Sequence, residues 1–269
     1  MTDDERYLFD LNGYIVIEGL LTPDEMAVAN AAIDAREDTI RVGTREHSLS
    51  GGSPALEGTH GRGDLGGMLA WPEPDCLPFR RALAHPRLVP YLNEILGKGF
   101  RVDHQMGLVS MDKGAEGHTF HGSSGPGFDP NQYYIFKNGR FHNGLTVVAV
   151  QLTDVNPGDG GLVVIPGSHK SNFPCPPDMR KYLAHQENVR QIVCKAGDAV
   201  IFTEATTHGT LPWTSGRPRR TLLTRYTAGN MAYVPAFETP EWADERLSKV
   251  MEAPYHTRLN RPVLEDDED

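Results

Sequence analysis

Two histidines of this 269-residue chain stand in runs that suit metal binding. His121 lies in the run HTFHGS at 118–123, and His208 lies far downstream in the run EATTHGT at 204–210. A neutral imidazole is a common metal ligand, and imidazoles from distant strands can meet inside a β-barrel. Arg219 follows His208 by 11 residues and precedes an apolar segment, so its guanidinium can point into the same cavity. The planar fork of arginine suits a dicarboxylate.

The elements that must position these residues are short β-type runs separated by turn-forming residues. They cover 107–111, 145–152, 162–165, 199–202 and 221–226. Helical patterns precede them: a capping box with proline begins a helix at Thr22, and apolar spacing indicates another over 80–96, where two prolines can divide it. The sequence therefore predicts a mainly β protein, an antiparallel sandwich or jelly roll with flanking helices.

The glycine-rich and polar segment 40–75 holds no clear element. A loop of this length inside a compact domain is usually functional, which suggests a lid over the site. We expect one domain over residues 1–260, followed by a disordered acidic tail over 261–269.

Composition is typical of a soluble globular protein, with 39% hydrophobic and 23% charged residues. No apolar run reaches the roughly 20 residues that cross a bilayer, so we expect no membrane segment. The formal net charge is −10, and the absence of a basic face argues against a nucleic-acid polymer as partner. An acidic N-terminus without a signal pattern and three widely spaced cysteines predict a cytoplasmic protein.

Several motifs, met in order along the chain, resemble the phytanoyl-CoA dioxygenase family. They are the runs GYIV at 13–16, DGGLVVIPGSHK at 159–170 and AGDAVIF at 196–202, followed by His208-Gly209 and Arg219-Arg220. Together they cover most of the chain. The resemblance implies a double-stranded β-helix of the jelly-roll or cupin type that uses Fe(II), 2-oxoglutarate and O2.

The resemblance also assigns roles to individual residues. His121 and His208 match the iron-binding histidines of the family. Arg219 matches the residue that binds the distal carboxylate of 2-oxoglutarate, with the hydroxyl of Thr210 beside it. His169 falls on the turn after a strand, which implies a structural role.

The sequence departs from the family at the third iron ligand. The family motif is His-x-Asp, whereas Ser123 stands here at the aspartate position after His121. Two histidines alone leave one more open position than the usual two histidines and one carboxylate. In the related iron and 2-oxoglutarate halogenases, glycine or alanine at this place lets chloride bind iron. The similarity implies a halide position at Ser123 and a radical halogenase with chloride as a co-substrate.

Other interpretations remain open at this point. Serine or water can complete the iron site and preserve hydroxylation, or the protein can be a binding module without iron. A carboxylate from elsewhere, Glu204 or Asp129, can replace the aspartate, but neither has the family spacing. We expect Glu204 to accept a hydrogen bond from an iron-binding histidine. His118 is expected to be a neighbour of the site and not a ligand.

The substrate is expected to be a small free molecule. The segment between His121 and residue 145 carries Tyr134, Lys137 and Arg140, a mixture that suits stacking on a flat ring and holding an anion. The alternative is an exposed loop whose aromatic residues pack on the barrel. Halogenases of this broad family act on amino acids, alkaloids and nucleotides. A short chain without a basic docking face for an acidic carrier protein favours a free small substrate. Among the substrates of the halogenases that the chain resembles, we expect a nucleotide such as 2′-deoxyadenosine monophosphate, in antibiotic or other natural-product biosynthesis.

Overall fold

The computed structural model describes residues 1–122, 128–255 and 261–266. The described helices are α1 (Asp3–Asn12), α2 (Pro23–Asp34), α3 (Leu77–Leu83), α4 (Val89–Leu96), α5 (Pro177–Arg180) and α6 (Glu245–Met251). The described strands are β1 (Tyr14–Ile17), β2 (Arg41–Val42), β3 (Gly63–Leu65), β4 (Arg101–Met111), β5 (His118–His121), β6 (Tyr134–Lys137), β7 (Arg140–Asn143), β8 (Thr146–Gln151), β9 (Gly161–Val164), β10 (Arg190–Gln191), β11 (Ala199–Thr203), β12 (His208–Leu211) and β13 (Arg219–Thr227).

Two antiparallel sheets form the body of the protein. The larger has the strand order β1-β11-β8-β13-β4-β3-β2, and the smaller has the order β10-β9-β12-β5. The larger sheet is covered on both faces, which explains why every residue of β8 is buried. Val148 and Val150 pack with the helices, whereas Val147 and Ala149 pack toward the smaller sheet. The predicted mainly β fold with flanking helices is confirmed.

The helices begin and end where their local sequence requires. Thr22 and Glu25 form the predicted capping box, with Pro23 in the first turn of α2. The helical pattern over 80–96 is divided into α3 and α4, because Pro86 stands between them and cannot continue a helix. No helix among the described residues is long and apolar enough to cross a membrane.

The predicted loop over 40–75 contains ordered structure. Its strands β2 and β3 extend the larger sheet at one edge. Between them, the chain runs along β5: the backbone N–H of Thr119 donates to Leu49 O, and that of Gly117 donates to Leu56 O. The segment therefore covers the edge of the strand that carries His121, and such pairing protects an open sheet edge.

The C-terminal residues 261–266, part of the range for which the sequence predicts a disordered tail, pack against the body. Arg261 and Leu264 are buried, and the Arg261 Nε–H donates to Gly99 O at 2.7 Å. The Asn93 amide donates to Leu264 O. The acidic composition of this segment did not indicate that Arg261 donates hydrogen bonds to backbone carbonyls or that Leu264 packs in the apolar core. Residues 267–269 of the expected tail lie outside the described residues.

Candidate metal centre

Three potential metal ligands converge at the ends of three strands, two from the smaller sheet and one from the larger. His121 ends β5, His208 begins β12, and Glu204 follows β11. His208 lies opposite His121 in the β5–β12 ladder, and their ring centroids are 4.2 Å apart. The Glu204 Oε2 atom is 3.6 Å from the His208 Nε2 atom. One ligand atom from each of the three residues lies within 4.8 Å of the others, close enough to share one metal ion.

Hydrogen bonds to backbone carbonyls orient both imidazoles. The Nδ1 atom of His121 is 3.1 Å from Thr119 O, and that of His208 is 2.7 Å from Thr206 O. A carbonyl oxygen only accepts hydrogen bonds, so each Nδ1 carries the proton. Each Nε2 then has a free lone pair for a metal ion, which is the usual arrangement of metal-binding histidines.

Glu204 is a buried anion at this centre. Burial alone raises the pKa of its carboxyl group, but the positive charge of the hydrogen-bonded Arg225 holds that pKa below its ordinary value. The Arg225 Nε–H donates to Oε1 at 2.8 Å, which leaves Oε2 on the side of His208. Burial lowers the pKa of His208 to about 4, so its imidazole is neutral near pH 7. Two neutral imidazoles and one carboxylate form the donor set of non-haem iron sites.

Arg219 stands in the same cavity and faces no carboxylate among the described residues. The residue is 4% exposed, its Nη1 contacts Met111 Sδ at 3.2 Å, and its buried Nε has no hydrogen-bond partner among the atoms described. Burial and repulsion by Arg62 lower the pKa of Arg219 to about 10, which still leaves it charged near pH 7. A buried guanidinium in this position requires an anion. The distal carboxylate of 2-oxoglutarate fits that requirement.

The cavity has a volume of about 110 Å3 between the two sheets. Thr210, predicted to assist Arg219, lies along its wall. His118 also lines it, and burial together with His121 lowers the pKa of His118 to about 3. Residues three apart on a strand normally face opposite sides, but an irregularity in the β5–β12 register brings both His118 and His121 to the cavity.

Ser123, the predicted halide position, lies outside the described residues. Asp129, the other carboxylate considered, accepts a hydrogen bond from the Asn131 backbone and does not belong to the metal-ligand group found in the described chain. His169 is buried on the turn after β9, with Nε2 3.0 Å from Asp10 O. Among the residues that the structure describes, these placements leave Glu204 as the carboxylate beside the two histidines.

Tyr134, Lys137 and Arg140, predicted to contact the substrate, do not line this cavity. They lie on β6 and β7, which form a separate two-stranded sheet. The Tyr134 hydroxyl donates to the Asp10 carboxylate of α1, while Lys137 and Arg140 are exposed. The hairpin is held there because Phe141 packs on Phe9 of α1. The expected stacking and anion-binding surface is therefore absent from the described cavity.

Sequence reasoning missed two arginines of the cavity, Arg62 and Arg225. Arg225 stands six residues after Arg219 on β13, an even spacing that places both on one face of a strand. That spacing could have placed Arg225 beside Arg219 from the sequence alone. Arg62 had none, because its neighbours in the cavity are distant in the chain.

Gly209 sets the approach of β12 to β5, and its replacement by alanine is expected to harm the metal centre. A Cβ atom there would lie 2.2 Å from Phe120 Cδ1 and 2.7 Å from His118 O. We expect Gly209→Ala to lower the free energy of unfolding by about 1–3 kcal/mol and to weaken Fe(II) binding about tenfold, measured by chemical denaturation and anaerobic calorimetry. Gly216→Ala, whose Cβ would meet nothing within 4 Å, is the control. Equal behaviour of the two variants would contradict this role.

Comparison with known proteins places this geometry in a family. The chain matches phytanoyl-CoA dioxygenase (PhyH) over residues 9–221. It is 24% identical over 250 residues to the ectoine dioxygenase of Bordetella parapertussis, covering 85% of this chain and 76% of that protein. HygX of Streptomyces hygroscopicus, solved with nickel and 2-oxoglutarate, has a TM-score of 0.66 at 18% identity, covering 86% of this chain and 89% of that one. EctD of S. alaskensis, solved with 2-oxoglutarate and 5-hydroxyectoine, has a TM-score of 0.59 at 20% identity, covering 85% and 77%.

The fold is the cupin-like double-stranded β-helix of the Fe(II)- and 2-oxoglutarate-dependent oxygenases, as the sequence predicted. The chain belongs to the phytanoyl-CoA dioxygenase family, whose match extends over most of its length.

Proposed function

We propose that this protein hydroxylates a small molecule with iron held by His121, Glu204 and His208. The observation that carries the proposal is the position of the Glu204 carboxylate, buried and within reach of a metal ion shared with both histidines. The sequence-based prediction of chlorination depended on the missing aspartate at Ser123. A carboxylate supplied by Glu204 restores the usual ligand set, so the iron needs no halide.

The charges around the cavity suit this ligand set. Fe(II), the Glu204 carboxylate and a doubly charged 2-oxoglutarate carry a net charge of about −1, which the Arg219 guanidinium offsets. Arg225 is hydrogen-bonded to Glu204 and keeps that carboxylate in the ionised form that binds a metal ion.

The residues of this chain divide the work of the reaction. Arg219 and Thr210 bind the distal carboxylate of 2-oxoglutarate, while the apolar side chains of Val147, Ala149 and Phe202 exclude water from the cavity. Iron and 2-oxoglutarate, when bound, use O2 to insert one oxygen atom into a substrate C–H bond and release succinate and CO2. The protein positions the co-substrate and substrate and supplies the charges that hold them, as other cofactor enzymes do.

The substrate we infer is a small molecule at the opening of the cavity. The volume of about 110 Å3 suits one small organic acid, and pockets for a further drug-sized molecule usually measure about 300–1,000 Å3. One relative is named an ectoine dioxygenase, and EctD was solved with 5-hydroxyectoine; both compounds are small and polar. The predicted nucleotide gains no such support, since Lys137 and Arg140 lie outside the cavity.

The test is an anaerobic chloride titration of the Fe(II)–2-oxoglutarate complex, followed by product mass analysis. We expect the visible charge-transfer band to be unchanged by chloride. After O2 is admitted with a panel of cyclic amino acids, aminoglycosides and nucleotides, the product should gain one oxygen atom, with equal yield in chloride-free buffer. A chloride-dependent band and a chlorinated product would instead establish a halogenase, the function that the serine at position 123 favours.

A further inference from the structure

Arg62, Met111 and Arg219 stand in one row across three neighbouring strands. In the β3–β4 ladder Gly63 lies opposite Ser110, and in the β4–β13 ladder Arg219 lies opposite Met111. Extending the β3 register by one residue sets Arg62 opposite Met111 as well. Side chains of one row project from the same face of a sheet. Arg62 and Arg219 accordingly both line the cavity, one on either side of Met111.

The two guanidinium groups act on each other electrostatically. Neighbouring strands are about 4.8 Å apart, so the two backbones are separated by roughly 10 Å, and long side chains can converge across that gap. Arg62 repels Arg219 strongly enough to contribute, after burial, to the lowering of the Arg219 pKa. Two like charges directed at one enclosed space favour an anion between them.

Arg62 is held in place with part of its guanidinium still available. Its Nε and Nη2 groups each lie 3.2 Å from a carboxylate oxygen of Asp64, and Nη1 has no hydrogen-bond partner among the described residues. Glycines fix the backbone on both sides. A Cβ on Gly61 would lie 2.6 Å from Gly43 O, and one on Gly63 would lie 2.6 Å from Ile40 Cγ2.

We propose that Arg62 is a second anchor for the distal carboxylate of 2-oxoglutarate, opposite Arg219. This inference rests on the proposed function, since it assumes that the cavity binds 2-oxoglutarate. Arg219 supplies buried N–H donors from β13, and Arg62 supplies its Nη1 donors from the start of β3. The edge strands β2 and β3 thereby take part in co-substrate binding, so 2-oxoglutarate should hold this edge of the sheet more firmly against the barrel.

The test compares two 2-oxo acids in three proteins. 2-Oxopentanoate has the same iron-binding end as 2-oxoglutarate but a methyl group in place of the distal carboxylate. Affinities are measured anaerobically with Fe(II) from the charge-transfer band or by calorimetry. We expect Arg62→Gln to weaken 2-oxoglutarate about tenfold or more and to change 2-oxopentanoate less than about twofold. Arg41→Gln removes the same charge from an exposed position on β2 and should change neither affinity.

Arg62→Lys keeps the charge but loses the fork, and it should retain part of the affinity for 2-oxoglutarate. Equal weakening of both acids in Arg62→Gln would overturn the proposal, because it would indicate a general disturbance of the site. Unchanged 2-oxoglutarate affinity with a raised KM for the substrate would also overturn it, and would assign Arg62 to the substrate. Failure of the proposed function looks different. Without 2-oxoglutarate binding, the wild-type protein with Fe(II) would show no 2-oxoglutarate-dependent band, and with chlorination in place of hydroxylation it would keep the band and give a chlorinated product.

Discussion

Glu204→Ala is expected to weaken Fe(II) binding about 100-fold or more, equivalent to about 2.8 kcal/mol, and to abolish 2-oxoglutarate turnover. The reason is the loss of one of three protein ligands, the one that carries the negative charge. Anaerobic calorimetry with Fe(II) measures the affinity. Glu187→Ala, which removes a glutamate whose side chain is 72% exposed, should leave iron binding unchanged.

Two further variants separate the metal-ligand role of Glu204 from a purely structural one. Glu204 also neutralises Arg225, and removing one partner of a buried ion pair costs about 3–5 kcal/mol. Glu204→Gln keeps the size of the side chain and an acceptor for Arg225, so it should stay folded and still lose iron. Ser123→Ala should keep Fe(II) affinity within about twofold.

The response of the charge-transfer band to chloride distinguishes a metal-ligand role of Glu204 from a structural one, because only the loss of an iron ligand opens a position for chloride. In Glu204→Ala the vacated position and the lost charge should allow chloride to bind iron, so the charge-transfer band should become sensitive to chloride. The wild-type band should not respond. If instead the wild-type protein responds to chloride and Glu204→Ala retains full iron affinity, then Glu204 is not a ligand and the vacancy lies at Ser123.

Arg219→Gln is expected to weaken 2-oxoglutarate binding about 100-fold or more while leaving Fe(II) affinity within about twofold. The guanidinium is buried and charged, and the described residues offer it no carboxylate, so the co-substrate should supply the anion. The charge-transfer band at increasing 2-oxoglutarate concentration measures the affinity.

The matched control is Arg217→Gln, two residues earlier on the turn before β13. Its side chain is 57% exposed and pairs with surface aspartates, so its loss should not affect 2-oxoglutarate. An Arg219→Gln protein with unchanged 2-oxoglutarate affinity would show that the distal carboxylate binds elsewhere. Compared with the Arg62 variants, the Arg219 variant shows how much each arginine contributes to the affinity for the distal carboxylate.

The sequence by itself determined the residues whose signals are local. His121, His208 and Arg219 each stand beside or within an alternating strand pattern, and alternation fixes which side chains share a face. The capping box at Thr22 likewise defined a helix start. These features depend on residues close together in the chain, which is why the fold class was predicted. The roles of the three residues came from the resemblance of their motifs to a family, and they stay predictions.

The sequence left Glu204 as one alternative for the third ligand, and only the tertiary structure brings its carboxylate beside both histidines. Glu204 stands four residues before His208, and in a turn this spacing does not predict whether the two side chains face each other. The turn after β11, closed by the Thr206 N–H to Thr203 O hydrogen bond, reverses the chain and returns the carboxylate beside the imidazole. Composition also did not predict where the β6–β7 hairpin of Tyr134 packs. Its aromatic residues contact α1 and do not cover the cavity.

Arg62 shows the same limit most clearly. It shares the cavity with Arg219 because β3 pairs with β4 and β4 pairs with β13, so this arrangement depends on two registers between segments far apart in the chain. Local propensity and periodicity assign a residue to an element and a face. The partner strand and its register are decided by which faces can be buried together, and that is a property of the whole packed chain.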